Sequence, residues 1–313
     1  LQFVPTALLV LSLNQLGVME VDPLERKKLV AFMPAAGMFF ITLTAGNAIV
    51  KHTNVDTFIV MRSLVPIPCA FLETFALGEP CPRPISWFGL LTILMGAVCY
   101  ASANRGIALG GLSWMVLFIV MMPVDGVLIK HLINTSGLNT TWGLVLYQNT
   151  LAGVFGILCT FMVELSPPGA FEDVTSRLST GGVHTWLPLV LSTVLGVSVS
   201  FFQMSVRKVV SSTAFMVLGV SNKLLALLVN QLTMEANGSF LSISGVVTSI
   251  FGAVAFQQTV KGRGIAQAQR PVTAAQKGSG KAMIAMCIGL IWAGVLSAQD
   301  SGVPVASHVW THT

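Results

Sequence analysis

Two cations, Arg62 and Lys223, lie deep inside long apolar segments, whereas the other Lys and Arg residues fall in connections, at segment ends or in the tail. A Lys or Arg in hydrocarbon costs about 3 kcal/mol or more, so it faces an interior cavity and marks a pathway or a binding site. No acidic residue stands close to either in sequence, so the counter-charge is expected to arrive with a ligand. That ligand is an anion. Arg supplies a planar fork of donors and Lys a compact point charge, a combination suited to a phosphate or diphosphate. The competing reading is an internal salt bridge, for instance to Asp125.

The elements that carry these cations follow from composition. The chain has 313 residues, 54% hydrophobic and only 9% charged, with a mean hydropathy of +0.79, which excludes an ordinary soluble domain. A helix needs about 20 apolar residues to cross a bilayer. Nine such segments are expected, near 1–19, 30–50, 55–78, 86–104, 110–133, 142–164, 185–206, 212–234 and 239–260. A weaker one, 282–297, is short for a span, and Gly, Ser, Thr and Ala punctuate most of the others, as close helix packing in lipid requires. The expected fold class is an all-α polytopic membrane protein.

An internal repeat refines that expectation. GLLTILMGAVCY at 89–100 and GVVTSIFGAVAF at 245–256 share Gly89/Gly245, Thr92/Thr248, Gly96/Gly252, Ala97/Ala253 and Val98/Val254. Upstream, DTFIVM at 56–61 echoes STAFMV at 212–217 at almost the same offset. The expected domains are a transporter region 1–260, with a first repeat 1–105 and a second 110–260, followed by a basic tail 261–313. The second repeat holds five helices and the first only four, and the chain begins at Leu1, so one N-terminal helix is expected to be missing. Copies of five helices cross the membrane in opposite senses, an inverted repeat with its site near mid-membrane.

Charge supports one orientation. Alternate connections plus the tail hold 12 Lys and Arg residues; the other set holds Lys51, Arg105 and Arg177. The positive-inside rule puts the richer set in the cytosol. The net charge of +5 thus reflects orientation and gives no case for nucleic-acid binding. Arg62 stands seven residues past Val55 and Lys223 eleven past Ser212, entering from opposite faces. At 1.5 Å per residue the depths are roughly 11 and 17 Å, near the middle of a ~30 Å core.

These residues resemble a known family, the Golgi nucleotide-sugar transporters of the drug/metabolite transporter superfamily, in their GDP-sugar branch. GVSNK at 219–223 is similar to that branch's GALNK motif, and LYQNT at 146–150 to its FYNN or LYNN motif. NVDTFIVMRSLVPI at 54–67 and WGLVLYQN at 142–149 look closest to plant and algal transporters for GDP-fucose or GDP-galactose. The resemblance covers about residues 1–260 and implies ten helices. It implies that Tyr147, Gln148 and Asn149 read the guanine base, and that Gly219, Asn222 and Lys223 hold the sugar and diphosphate. An amide offers donor and acceptor together, which matches a purine edge. Gln148 stands where the motif usually has its first Asn. Phe215 stands where the GDP-mannose pattern has Tyr, which removes a hydroxyl and points to fucose or galactose rather than mannose. Leu224 stands where triose-phosphate translocators have a second basic residue, which disfavours small phosphate esters.

The implied function is exchange of cytosolic GDP-sugar for lumenal GMP by alternating access, in the Golgi membrane with a cytosolic tail. A carrier of UDP-sugars or other organic phosphates is the alternative. The partners are GDP-sugar, GMP and the lipid bilayer, with a homodimer as the assembly to test and no nucleic acid. No cofactor or metal is expected. An intramembrane enzyme would need converging acids, His or Cys, and Asp125 is the one acid placed well inside a span; Asp56 and Glu73, near segment ends, are expected to be hydrated. The five Cys and five His do not cluster, and GSGKA at 278–282 lacks the first Gly and the final Ser/Thr of a phosphate loop.

Overall fold

In lipid each backbone N–H and C=O has to be satisfied within its own segment, so apolar spans fold as helices. The computed structural model describes residues 3–17, 19–103, 111–138, 140–159, 183–233 and 240–260. These form ten helices: α1 Phe3–Gln15, α2 Arg26–His52, α3 Val55–Leu64, α4 Pro66–Leu77, α5 Pro84–Ala103, α6 Leu112–Thr135, α7 Thr141–Cys159, α8 Val183–Val209, α9 Ser212–Thr233 and α10 Phe240–Val260. No strand occurs among the described residues. Among the described residues seven stretches are long and apolar enough to cross a membrane, one of them the combined α3–α4 stretch Val55–Leu77. The chain is therefore an all-helical, multi-pass membrane protein. The weak segment 282–297 and the rest of the tail lie outside the described residues.

All nine expected segments fall on helices, but the third is divided. Pro66 has no N–H to offer the Arg62 carbonyl four residues back, and its ring would crowd that oxygen. The Arg62 carbonyl instead accepts from Val65 N at 3.3 Å, a tighter turn that closes α3. Asn54 opens α3 by accepting from the Thr57 N–H at 2.8 Å, and Gly78 ends α4 in the left-handed region at φ 66°. Arg62 thus stands one turn before a break in its helix.

The described residues group into two units, one formed within 1–40 and 136–205, the other within 41–135 and 206–260. In the first, α1 packs on α7, and the turn before α2 is tied to the start of α7. Asp22 Oδ2 accepts from the Thr140 N–H at 2.9 Å and from its hydroxyl at 2.6 Å, and Thr140 Oγ1 in turn accepts from Gly143 N at 3.0 Å.

The second unit is organised by a glycine seam between α5 and α10. A methyl group on Gly89 would come 3.0 Å from the Gly252 carbonyl oxygen, and one on Gly252 2.8 Å from that of Gly89. One on Gly96 would come 2.5 Å from the Gly245 oxygen, and one on Gly245 2.8 Å from that of Gly96. Gly89 matches Gly245 in the repeated sequence and Gly96 matches Gly252, so equivalent residues trade partners, as across a local twofold axis.

The α8–α9 turn is held from two sides. Lys130 of α6 donates to the Arg207, Lys208 and Val210 carbonyls at 2.9, 3.1 and 2.8 Å, satisfying acceptors that the end of α8 leaves open. Glu73 of α4 accepts from Ser212 N at 2.7 Å, from Thr213 N at 3.3 Å and from the Thr213 hydroxyl at 2.7 Å. An acceptor carboxylate on the first N–H groups of α9 complements the helix dipole. Glu73 is 6% exposed and Asp56 9%, so both acids expected to be hydrated are buried.

Candidate functional site

Five of the eight expected site residues, Arg62, Phe215, Gly219, Asn222 and Lys223, belong to the second unit. α9 sets their geometry. Residues 215, 219 and 223 are spaced by four and therefore lie on one face of the helix, about 6 Å apart per turn. At the middle of that stripe Arg62 reaches in from α3. A methyl group on Gly219 would stand 3.3 Å from Arg62 Nη2, so the absent side chain leaves room for the guanidinium against the α9 backbone.

Arg62 Nε is buried with no hydrogen-bond partner. No carboxylate among the described residues pairs with this guanidinium, and Asp125, the partner considered above, is engaged elsewhere. Asn222 and Lys223 are exposed one turn along. The structure thus brings Arg62 and Gly219 together and places Lys223 on the same stripe as an exposed cation.

At the other end of the stripe, Phe215 is half-buried and carries a cation on its ring. The Arg207 guanidinium lies 4.3 Å from the ring centroid, within cation–π range. Arg207 Nη2 stands 3.7 Å from Asp125 Oδ2, with the Asp125 side chain buried and that of Arg207 12% exposed. Charge counting puts Arg207 and Lys130 among the connection charges; the structure buries Lys130 and leaves Arg207 only partly exposed. Asp125 gave the available signal, since an acid in an apolar helix needs a cation. Which cation it takes depends on how α6 meets the end of α8.

The remaining three residues sit on α7 in the first unit, and much of their hydrogen bonding is already committed. Tyr147 is fully buried; its hydroxyl donates to the Pro23 carbonyl at 2.7 Å and accepts from Glu25 N at 2.7 Å. Its ring lies 5.5 Å from that of Phe32. Asn149 donates from Nδ2 to the Val145 carbonyl of its own helix at 2.8 Å. Gln148 differs, because its Oε1 is buried and has no partner. Within the motif, Tyr147 and Asn149 hold structure, and Gln148 keeps an unused acceptor.

No family model matches the chain. Among curated proteins, it is 36% identical over 276 residues to GDP-mannose transporter GONST3 of Arabidopsis thaliana, covering 87% of this chain and 73% of that one. It is 32% identical over 266 residues to GDP-fucose transporter 1 of the same plant, covering 83% of this chain and 76% of that one. A third relative there, GDP-mannose transporter GONST1, is 20% identical over 225 residues, covering 70% of this chain and 66% of that one.

Proposed function

Because the chain belongs to the GDP-sugar transporter family, we propose that it exchanges GDP-sugar for GMP across the Golgi membrane, with its basic tail in the cytosol. The observation that carries this reading is Arg62: a half-buried arginine whose buried Nε is unspent, seated against the bare backbone of Gly219. An intramembrane cation without a protein carboxylate is stabilised by an anionic ligand. The diphosphate of a GDP-sugar supplies that charge, with Lys223 as second partner and Asn222 beside it for the sugar.

The guanine base is read by the α7 motif, chiefly through the unspent Oε1 of Gln148, which can accept from a purine N–H. Tyr147 and Asn149 set the position of that amide. Phe215 offers the hexose an apolar edge and no hydroxyl, which favours fucose or galactose over mannose. Rocking of one repeat, residues 1–105, against the other, 110–260, provides alternating access, and the reciprocal glycine seam supports such a pair of copies.

The test is counterflow in proteoliposomes loaded with GMP, challenged with a panel of GDP- and UDP-sugars. Uptake of GDP-fucose or GDP-galactose ahead of GDP-mannose, with UDP-sugars inert, is expected. Preferential uptake of UDP-sugars would move the assignment to the UDP-sugar alternative.

A further inference from the structure

Arg207 is largely withdrawn from the surface, yet it is under-used. Its Nε and Nη1 have no hydrogen-bond partner, and neither has Oδ1 of Asp125. The Asp125–Arg207 separation of 3.7 Å lies beyond hydrogen-bond reach. A structural ion pair in an apolar interior repays its desolvation only when its geometry is tight and its remaining donors are satisfied. This pair meets neither condition. Its neighbour Lys130 has its donors satisfied, with three carbonyls around its ammonium, so Lys130 is a fastening and Arg207 has another use.

Position suggests which. Phe215 carries the Arg207 guanidinium on its ring, and Gly219, one turn on, seats the Arg62 guanidinium. Lys223 stands one turn further on the same face. Three cations therefore mark successive turns of α9, and a small cavity lined by Gly126, Lys130, Arg207, Ser212 and Phe215 opens at the Arg207 end.

We propose that Arg207 is a third cation of the anion site, with Asp125 as the resident counter-ion that a phosphate of the nucleotide displaces. The idea rests on the transport reading above and adds a residue to its phosphate contacts. In the unliganded protein Asp125 offsets the Arg207 charge at a loose distance. When phosphate arrives, Nε and Nη1 donate to its oxygens in the forked geometry that arginine suits. Asp125 acts through Arg207 and touches no ligand.

The test titrates GMP and guanosine onto the full chain in detergent, comparing wild type, Asp125→Asn and the neutral pair Asp125→Asn/Arg207→Gln, with melting temperatures recorded for each. A charged hydrogen bond to phosphate corresponds to about ten- to a hundredfold in affinity. The neutral pair is expected to melt close to wild type while GMP binding weakens at least about tenfold and guanosine binding holds. Asp125→Asn alone removes the competitor, so GMP is expected to bind several-fold tighter and to raise the melting temperature further than in wild type. A neutral pair that binds GMP like wild type would overturn the proposal. If that variant fails to fold, Asp125→Asn decides: no gain for GMP over guanosine overturns it. A wild type with no preference for GMP over guanosine would instead sink the transport reading and this proposal with it.

Discussion

The α7 motif and the α9 motif carry polar residues into apolar helices and treat them differently. On α7 the scaffold commits the Tyr147 hydroxyl to Pro23 and Glu25 and the Asn149 amide to Val145, while Gln148 Oε1 and Thr150 Oγ1 stay unpartnered. On the α9 stripe the cations keep theirs, with Arg62 Nε and Arg207 Nε and Nη1 unpartnered and Lys223 exposed. A neutral amide or hydroxyl can be satisfied by a nearby carbonyl at little cost. A guanidinium in hydrocarbon also requires a negative charge. The α7 motif therefore reads as positioning with a neutral amide and a hydroxyl left open, and the α9 stripe as charge held in reserve for a ligand.

Removing the reserved charge should have the largest effect. Lys223→Ala is expected to lower GDP-sugar transport about a hundredfold or more in proteoliposomes. Its melting temperature should stay near wild type, because an exposed cation with no ion-pair partner among the described residues holds little together there. Arg62→Ala should come close behind, and Arg62→Lys should recover only part of the loss, since the fork is gone. Wild-type uptake by Lys223→Ala would place the phosphate site elsewhere.

The α7 motif should respond the opposite way. Tyr147→Phe leaves the Pro23 carbonyl and the Glu25 N–H without their shared partner, a cost of about 1–3 kcal/mol. The measurable result is a lower melting temperature with the preference for GMP over UMP intact. Loss of that preference at unchanged stability would mean that the hydroxyl reads the base.

A subtler change probes the seat of Arg62. Gly219→Ala brings a methyl to 3.3 Å from Nη2, so the guanidinium has to give by a few tenths of an ångström. KM for GDP-sugar is expected to rise roughly two- to fivefold, a small share of what a full 1 Å displacement can cost. The smallest effect is expected from Phe215→Tyr, a few-fold shift towards GDP-mannose in competition assays, provided Arg207 stays on the ring.

The sequence made most of the fold legible, because the apolarity that defines a span is local, and a helix lies within each of the nine expected segments. The break after Arg62 was also written locally, in Pro66 and Pro68, although a continuous span was expected. What escaped was long-range. The partner of Glu73 lies 139 residues away at Ser212, and Lys130 reaches carbonyls 77 to 80 residues on. Nothing in the neighbourhood of these residues tells whether they meet water or a helix end. The cations Arg62 and Lys223 were legible because each interrupts an apolar run. Arg207 was not, because it sits beside Lys208 at a helix terminus and resembles an ordinary interfacial charge.

A guanine nucleotide's phosphate completes a cation stripe in which Arg62 has no carboxylate partner among the described residues and Arg207 has a loose one. The most direct test loads proteoliposomes with GMP, with UMP, or with neither, and follows initial uptake of radiolabelled GDP-fucose and GDP-galactose. Internal GMP is expected to accelerate uptake while internal UMP leaves it at the unloaded rate, and Lys223→Ala is expected to remove the acceleration. Equal stimulation by GMP and UMP, or stimulation that survives Lys223→Ala, would contradict it.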